Sequence, residues 1–264
     1  MNVMIMTDLE GISGVESISQ IFEVGSPGHI LACQRLMADT NAAVEGARRA
    51  GADKVYVLDG HGPANSFRDY MLDKRATKIS IPEYNGIMRS GEISAYLQVG
   101  AHSMPGTLNG FLDHVQSSAT WYNYMINGVK YGEIVQGALF AGSCGIPCVM
   151  VSGDDAACEE ARKCLGDQIA CASVKTAKCR NIADCISFEQ AEERIMQAAF
   201  YGVSRASEMP VFTLPLPLTI RLELMRSDYC DERHAARPDV RRLDARTLEM
   251  TVEKVERFSD ILFW

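Results

Sequence analysis

Two carboxylates two residues apart, Asp8 and Glu10, follow the short apolar run Val3–Thr7. In an extended segment residues i and i+2 point to the same side, so both carboxylates can aim at one point. His61 stands between glycines in Asp59-Gly60-His61-Gly62, after the run Lys54–Leu58. His102 ends Gly100-Ala101-His102, after Ser94–Gly100. Two carboxylates and two imidazoles, each just past an apolar run, are suited to zinc or another divalent first-row metal. Taken singly, each has a plainer explanation. A D-x-E can be a solvated loop or a helix cap, and a glycine-flanked histidine can be turn chemistry. Their convergence on three strand ends is what points to a metal site. Asp59 is placed either to orient an imidazole from behind or to form the turn. Asp154 and Asp155, where a strand gives way to a helix, read as a helix cap rather than as a partner for a substrate ammonium.

The elements that must position these residues are legible in outline. Val3–Thr7 has the length of a buried strand, and a glycine-rich loop follows it. From about His29 to Ala50 the apolar residues Leu31, Leu36, Met37, Ala43 and Val44 recur at helical spacing, with Gly51 as a C-cap. With Lys54–Leu58 this makes a βαβ unit, whose strands should be parallel neighbours. Ser94–Gly100 and Pro147–Ser152 read as further buried strands, and Tyr124–Tyr131 as a hairpin turning at Asn127-Gly128. Helices are expected over Gly132–Ser143, from about Ala156 to Leu165 and from about Ser187 to Tyr201, with a strand near Ile169–Val174. After Pro210 the texture changes. Thr219–Met225 and Leu248–Val252 look like strands, and the last dozen residues look helical. The expected fold is α/β, mainly a parallel sheet flanked by helices, with a smaller C-terminal α+β portion. The expected division is 1–209 as the catalytic domain and 210–264 as that portion, either attached to it or part of it. In open parallel sheets ligands bind at the carboxyl ends of strands, where Asp8, Glu10, His61 and His102 fall.

Composition excludes several classes. Net charge is −8 with no basic stripe, which argues against a binder of nucleic-acid phosphates. No apolar run approaches the roughly 20 residues that span a bilayer, and no basic leader precedes Val3-Met4-Ile5-Met6, so neither a membrane partner nor a signal peptide is expected. The nine cysteines form no C-x-x-C and read as reduced thiols, which fits a cytoplasmic address. A nucleotide-binding protein using a Rossmann-like crevice is a weaker alternative, because both G-x-G-x-x-G after the first strand and the P-loop pattern are missing.

Thr7-Asp8-Leu9-Glu10-Gly11-Ile12-Ser13-Gly14 closely resembles the opening of the D-aminopeptidase family linked to bacterial dipeptide-permease operons. So do, in the family's order, Asp59-Gly60-His61, Val99-Gly100-Ala101-His102, Asn127-Gly128 with Tyr131-Gly132-Glu133, and Val149–Asp155. The likeness runs from residue 1 to about 200. It implies that Asp8, Glu10, His61, His102 and Glu133 hold two zinc ions with Asp8 bridging, and that His114 is the catalytic histidine. Spacing alone gives neither Glu133, which reads as a first-turn helix glutamate, nor His114, which reads as a surface histidine. The segment Ser103–Asp113 departs from the family pattern in length and content. The resemblance further implies hydrolysis of short peptides from a free amino end, D-residues preferred, by a ring-shaped homo-oligomer. Another small amide or a cell-wall peptide fragment is the alternative substrate for the same dinuclear site.

Overall fold

The computed structural model describes residues 1–63 and 65–264. The chain begins β1 (Asn2–Thr7), α1 (Ser19–Phe22), α2 (Pro27–Arg49), β2 (Lys54–Asp59), β3 (Ala76–Ile79), α3 (Ile81–Met88), β4 (Ile93–Ala101). It continues β5 (Trp121–Ile126), β6 (Val129–Lys130), α4 (Glu133–Ser143), β7 (Cys148–Asp154), α5 (Asp155–Leu165), β8 (Ala170–Cys179), β9 (Ile182–Cys185), α6 (Phe188–Ser204). It closes with β10 (Leu218–Leu224), α7 (Ser227–Ala236), β11 (Arg241–Arg242) and β12 (Thr247–Val252).

Seven strands form one sheet in the order β3-β2-β1-β4-β7-β8-β9, parallel except for the β8–β9 hairpin. β7 is buried at every position and β1 at most, which is why they read as continuous apolar runs rather than alternating ones. The strand order reverses between β1 and β4, so β2, β1 and β4 end around a topological switch point. α2 and α6 pack on each other and on this sheet, as do α4 and α5. α2 starts at Pro27, two residues before the expected His29. Ser26 caps it by accepting from the His29 amide, and Pro27 at the first turn gives up no hydrogen bond.

The second sheet, β11-β12-β10-β5-β6, is antiparallel throughout. The hairpin at Asn127-Gly128 forms as expected, both residues having positive φ, but it belongs to this sheet. β10, from the tail after Pro210, pairs directly with β5, so residues 121–130 share a sheet with the tail.

One expectation needs correction, one strand is longer than expected, and two elements were not anticipated. The last dozen residues contain only a 3-10 turn at Phe258–Ile261. Ile261, Leu262 and Phe263 are buried consecutively, which a helix with one buried stripe does not allow. The strand near Ile169–Val174 runs on to Cys179 and returns as β9. β3 and α3 were not anticipated, although Ser80-Ile81-Pro82-Glu83 carries a capping-box pattern with a proline in the first turn, and the structure forms that box. All nine cysteines are unpaired. Among the described residues no helix is long and apolar enough to cross a membrane.

Candidate metal centre

Asp8 sits one residue past β1, where its amide donates to Val99 O on β4 at 2.8 Å. The Gly11 amide donates to Gly100 O, also at 2.8 Å. This close seam needs glycine. A Cβ at Gly100, whose φ is +81°, would lie 2.1 Å from Asp8 O, and one at Gly11 would lie 2.1 Å from Ala101 O. The loop from Glu10 is held from below by Lys175, a fully buried side chain whose Nζ donates to Glu10 O (2.8 Å) and Val15 O (2.7 Å). Burial depresses the Lys175 pKa to about 8.

His61 is presented by a turn that Asp59 builds. Asp59 accepts from the amides of His61 (3.3 Å), Ser66 (2.6 Å) and Phe67 (3.1 Å), so its work is on the backbone and not on an imidazole. Asp154 caps α5 by accepting from the Ala157 amide at 2.9 Å, as expected. Its other oxygen accepts from the Phe111 amide at 2.7 Å and so anchors the loop that carries His114.

All six singled-out side chains meet in one place. Asp8 Oδ1 lies 3.0 Å from His61 Nδ1, and Asp8 Oδ2 lies 3.3 Å from His102 Nε2. Glu10 Oε2 is 3.0 Å from His61 Nδ1, while Glu133 Oε1 is 3.4 Å from His102 Nε2 and 3.9 Å from His114 Nε2. Asp8, Glu10 and His61 form one cluster of donor atoms, and His102, His114 and Glu133 a second. The rings of His102 and His114 stack 3.9 Å apart, 11° from parallel. His114 therefore stands within reach of the second cluster.

The donor set fits a cation. A tetrahedral site with bonds of roughly 2.0–2.1 Å has ligand–ligand edges of about 3.3–3.4 Å, the separations found around His102 Nε2. His102 Nε2 and Glu10 Oε2 are buried and face only the carboxylates and imidazole of the site, without well-directed hydrogen bonds, an arrangement that a cation between them would satisfy. The Nδ1 atoms of His102 and His114 face the carbonyl oxygens of Ser103 (3.1 Å) and Leu112 (2.7 Å). A carbonyl only accepts, so Nδ1 carries the hydrogen in both rings and Nε2 is the atom turned to the site. Burial would lower the His61 pKa, but the charge of Glu10 and the contacts with Asp8 prevail and push it up to about 11. His102 is raised against burial in the same way by Asp8 and Glu133. Asp8 and Glu133 are held below the usual carboxylate range, burial again being outweighed by the imidazoles. The pocket thus concentrates negative charge strongly enough to retain protons on two buried imidazoles, and a divalent cation would compete for the same atoms.

Gln116 is a site residue that sequence reasoning missed. Its amide donates to Glu133 Oε1 at 2.6 Å, and its Nε2 donates to Glu133 Oε2 (3.2 Å) and to Gln136 Oε1 (2.8 Å). Gln116 has φ of +56°, a left-handed conformation uncommon outside glycine, which the contacts to Glu133 hold in place. No local pattern signals either Gln116 or Lys175, because each acts through tertiary contacts.

A model of the D-aminopeptidase family matches residues 1–263. The chain belongs to the D-aminopeptidase family. The match includes the tail after Pro210, which the sequence motifs left outside the resemblance. A D-aminopeptidase of Bacillus subtilis (strain 168) is 25% identical over 218 residues, 81% of this chain and 78% of its own length. The solved structure of the Zn-dependent D-aminopeptidase DppA from Bacillus subtilis, described as a self-compartmentalizing protease, shares the fold. The TM-score is 0.89 at 20% sequence identity, covering 99% of this chain and 95% of that one. As a D-aminopeptidase family member the chain is a peptide hydrolase.

Proposed function

We propose that this member of the D-aminopeptidase family removes the amino-terminal residue, preferentially a D-residue, from short peptides, using two zinc ions. The observation that carries the reading is the position of Asp8 between two donor clusters, one oxygen facing each. In this reading Glu10 and His61 would hold one ion, His102 and Glu133 would hold the other, and Asp8 would serve both. The zinc-dependence of the Bacillus subtilis DppA supports the choice of metal. The ions would supply Lewis acidity to the scissile carbonyl and make an attacking water more acidic at neutral pH.

The chain's own residues do the rest. Gln116 fixes both oxygens of Glu133, so that carboxylate is oriented before any ligand arrives. Leu112 O fixes the His114 tautomer, leaving Nε2 free to carry a proton to the leaving nitrogen. The cavity in front, about 620 Å³, is of a size for a small peptide and not for a folded protein. We further propose a homo-oligomer that encloses its sites, supported by the self-compartmentalizing relative, and a cytoplasmic address, supported by nine unpaired cysteines.

Release of amino acid from matched D- and L-aminoacyl dipeptides, with and without added zinc, tests this. The D-series should be cleaved faster, and only with metal. Equal or faster cleavage of the L-series would remove the stereochemical claim, and full activity in chelator would remove the metal.

A further inference from the structure

The cavity before the metal cluster has two unlike walls. One is the apolar trio Ile21, Phe22 and Val24, with Phe22 63% and Val24 75% exposed. Ile21 and Phe22 end α1 and Val24 follows it, and α1 is tied to the loop that leaves Glu10. Gln20 accepts from the Glu16 amide (2.8 Å) and donates to Gly14 O (2.9 Å). The other wall is Trp264, half exposed, beside Ser117–Ala119. Its indole N–H donates to Gln116 Oε1 at 3.2 Å, its carbonyl accepts from Arg237 Nη1 at 3.1 Å, and the Arg233 guanidinium lies 4.6 Å above its ring. Trp264 is thus a plate fixed from three directions, on the side of the cavity that holds His114 and Glu133.

Large apolar side chains left open in the lining of a pocket that also holds Asp8, Glu10 and Glu133 are not needed to bind a cation or a peptide amine. They match the side chains of a substrate. Polarity of the peptide follows from the proton donor. If His114 protonates the leaving nitrogen, the departing residue lies on the His114 side, along Trp264. The residue bearing the free amine then lies on the Glu10–His61 side, along Phe22 and Val24. Resting on the function proposed above, we infer that Phe22 and Val24 form the subsite for an apolar amino-terminal side chain, and that Trp264 forms the subsite for an apolar side chain on the departing residue.

The test is kcat/KM for D-phenylalanyl-glycine and D-alanyl-phenylalanine, each divided by that for D-alanyl-glycine, in zinc-loaded protein. Such ratios cancel any loss of folding or metal. Wild type should favour both bulky substrates. Combined Phe22→Ala and Val24→Ala should cut the first ratio by about tenfold or more and move the second little. Trp264→Ala should do the reverse, and Trp264→Phe should restore most of the second ratio. Equal loss on all three substrates would overturn the inference, because it marks a structural role. So would effects at exchanged positions, or a fall in oligomer mass by light scattering with both ratios unchanged, which would make the apolar wall a subunit contact. A wild type that cleaves all three substrates without side-chain preference would sink the subsites alone. A wild type that cleaves none of them would sink the peptidase reading as well.

Discussion

At the scale of single residues the account separates holding a cation from moving a proton. His114 Nε2 is 3.9 Å from Glu133 Oε1 and its ring lies against His102, so geometry alone leaves it within reach of a ligand's role. The proposed division makes a definite prediction. His114→Ala keeps its metal and its stability while kcat falls by about 10²–10⁴, the usual size of a general acid–base contribution. Metal content measured beside steady-state kinetics decides it, and loss of an ion from this variant would move His114 into the ligand set. A second prediction concerns protons. In chelator-stripped protein the surrounding carboxylates favour the imidazolium form of both His61 and His102, pushing His61 up to about 11 and raising His102 well above its ordinary value. A cation at His61 Nδ1 and His102 Nε2 must expel one proton from each ring, so zinc loading acidifies a weakly buffered solution and affinity weakens as pH falls. Zinc uptake with no release of protons would contradict this arrangement.

At the scale of elements, the site depends on how firmly the loop after β1 is seated on α2. Asp39 is fully buried on α2 and accepts from both the amide (2.8 Å) and the hydroxyl (2.6 Å) of Ser13, and Arg35 pairs with it at 3.4 Å. Asp39→Ala would leave the buried amide and hydroxyl of Ser13 without their acceptor, while Arg35 keeps Glu192 at 2.9 Å. A loss of about 1–3 kcal/mol in denaturant unfolding is expected, together with weaker metal binding. A cost under about 1 kcal/mol would show that the loop is held by something else. The parallel strands that carry Asp8, His61 and His102 were legible because strands buried on both faces read as uninterrupted apolar runs, and such runs end where the sheet meets its ligands. Glu133 and His114 were legible only through family resemblance. Glu133 has the position of an ordinary first-turn glutamate on α4, and His114 lies in a loop without periodicity. Gln116 and Lys175 left no trace at all, since what each does is decided by residues 17 and 165 positions away.

At the scale of the molecule, the centre lies where the two sheets meet. The loop from β4 to β5 leaves the parallel sheet at His102, passes His114 and Gln116, and enters the antiparallel sheet at Trp121. The tail completes that second sheet through β10 and β12 and returns Trp264 to Gln116. Local periodicity could announce β10 and β12 as strands, but it could not say that β10 would pair with β5, nearly a hundred residues earlier. The claim on which the whole account rests is that Asp8 serves two ions at once. Elemental analysis of protein purified without chelator, in the wild type and in Asp8→Ala and Glu10→Ala, tests it most directly. The account predicts about two zinc ions per chain in the wild type, weakened binding of both in Asp8→Ala, and weakened binding of only one in Glu10→Ala. Wild-type protein that holds no metal yet works fully in EDTA, or Asp8→Ala that still holds two ions tightly, would contradict it.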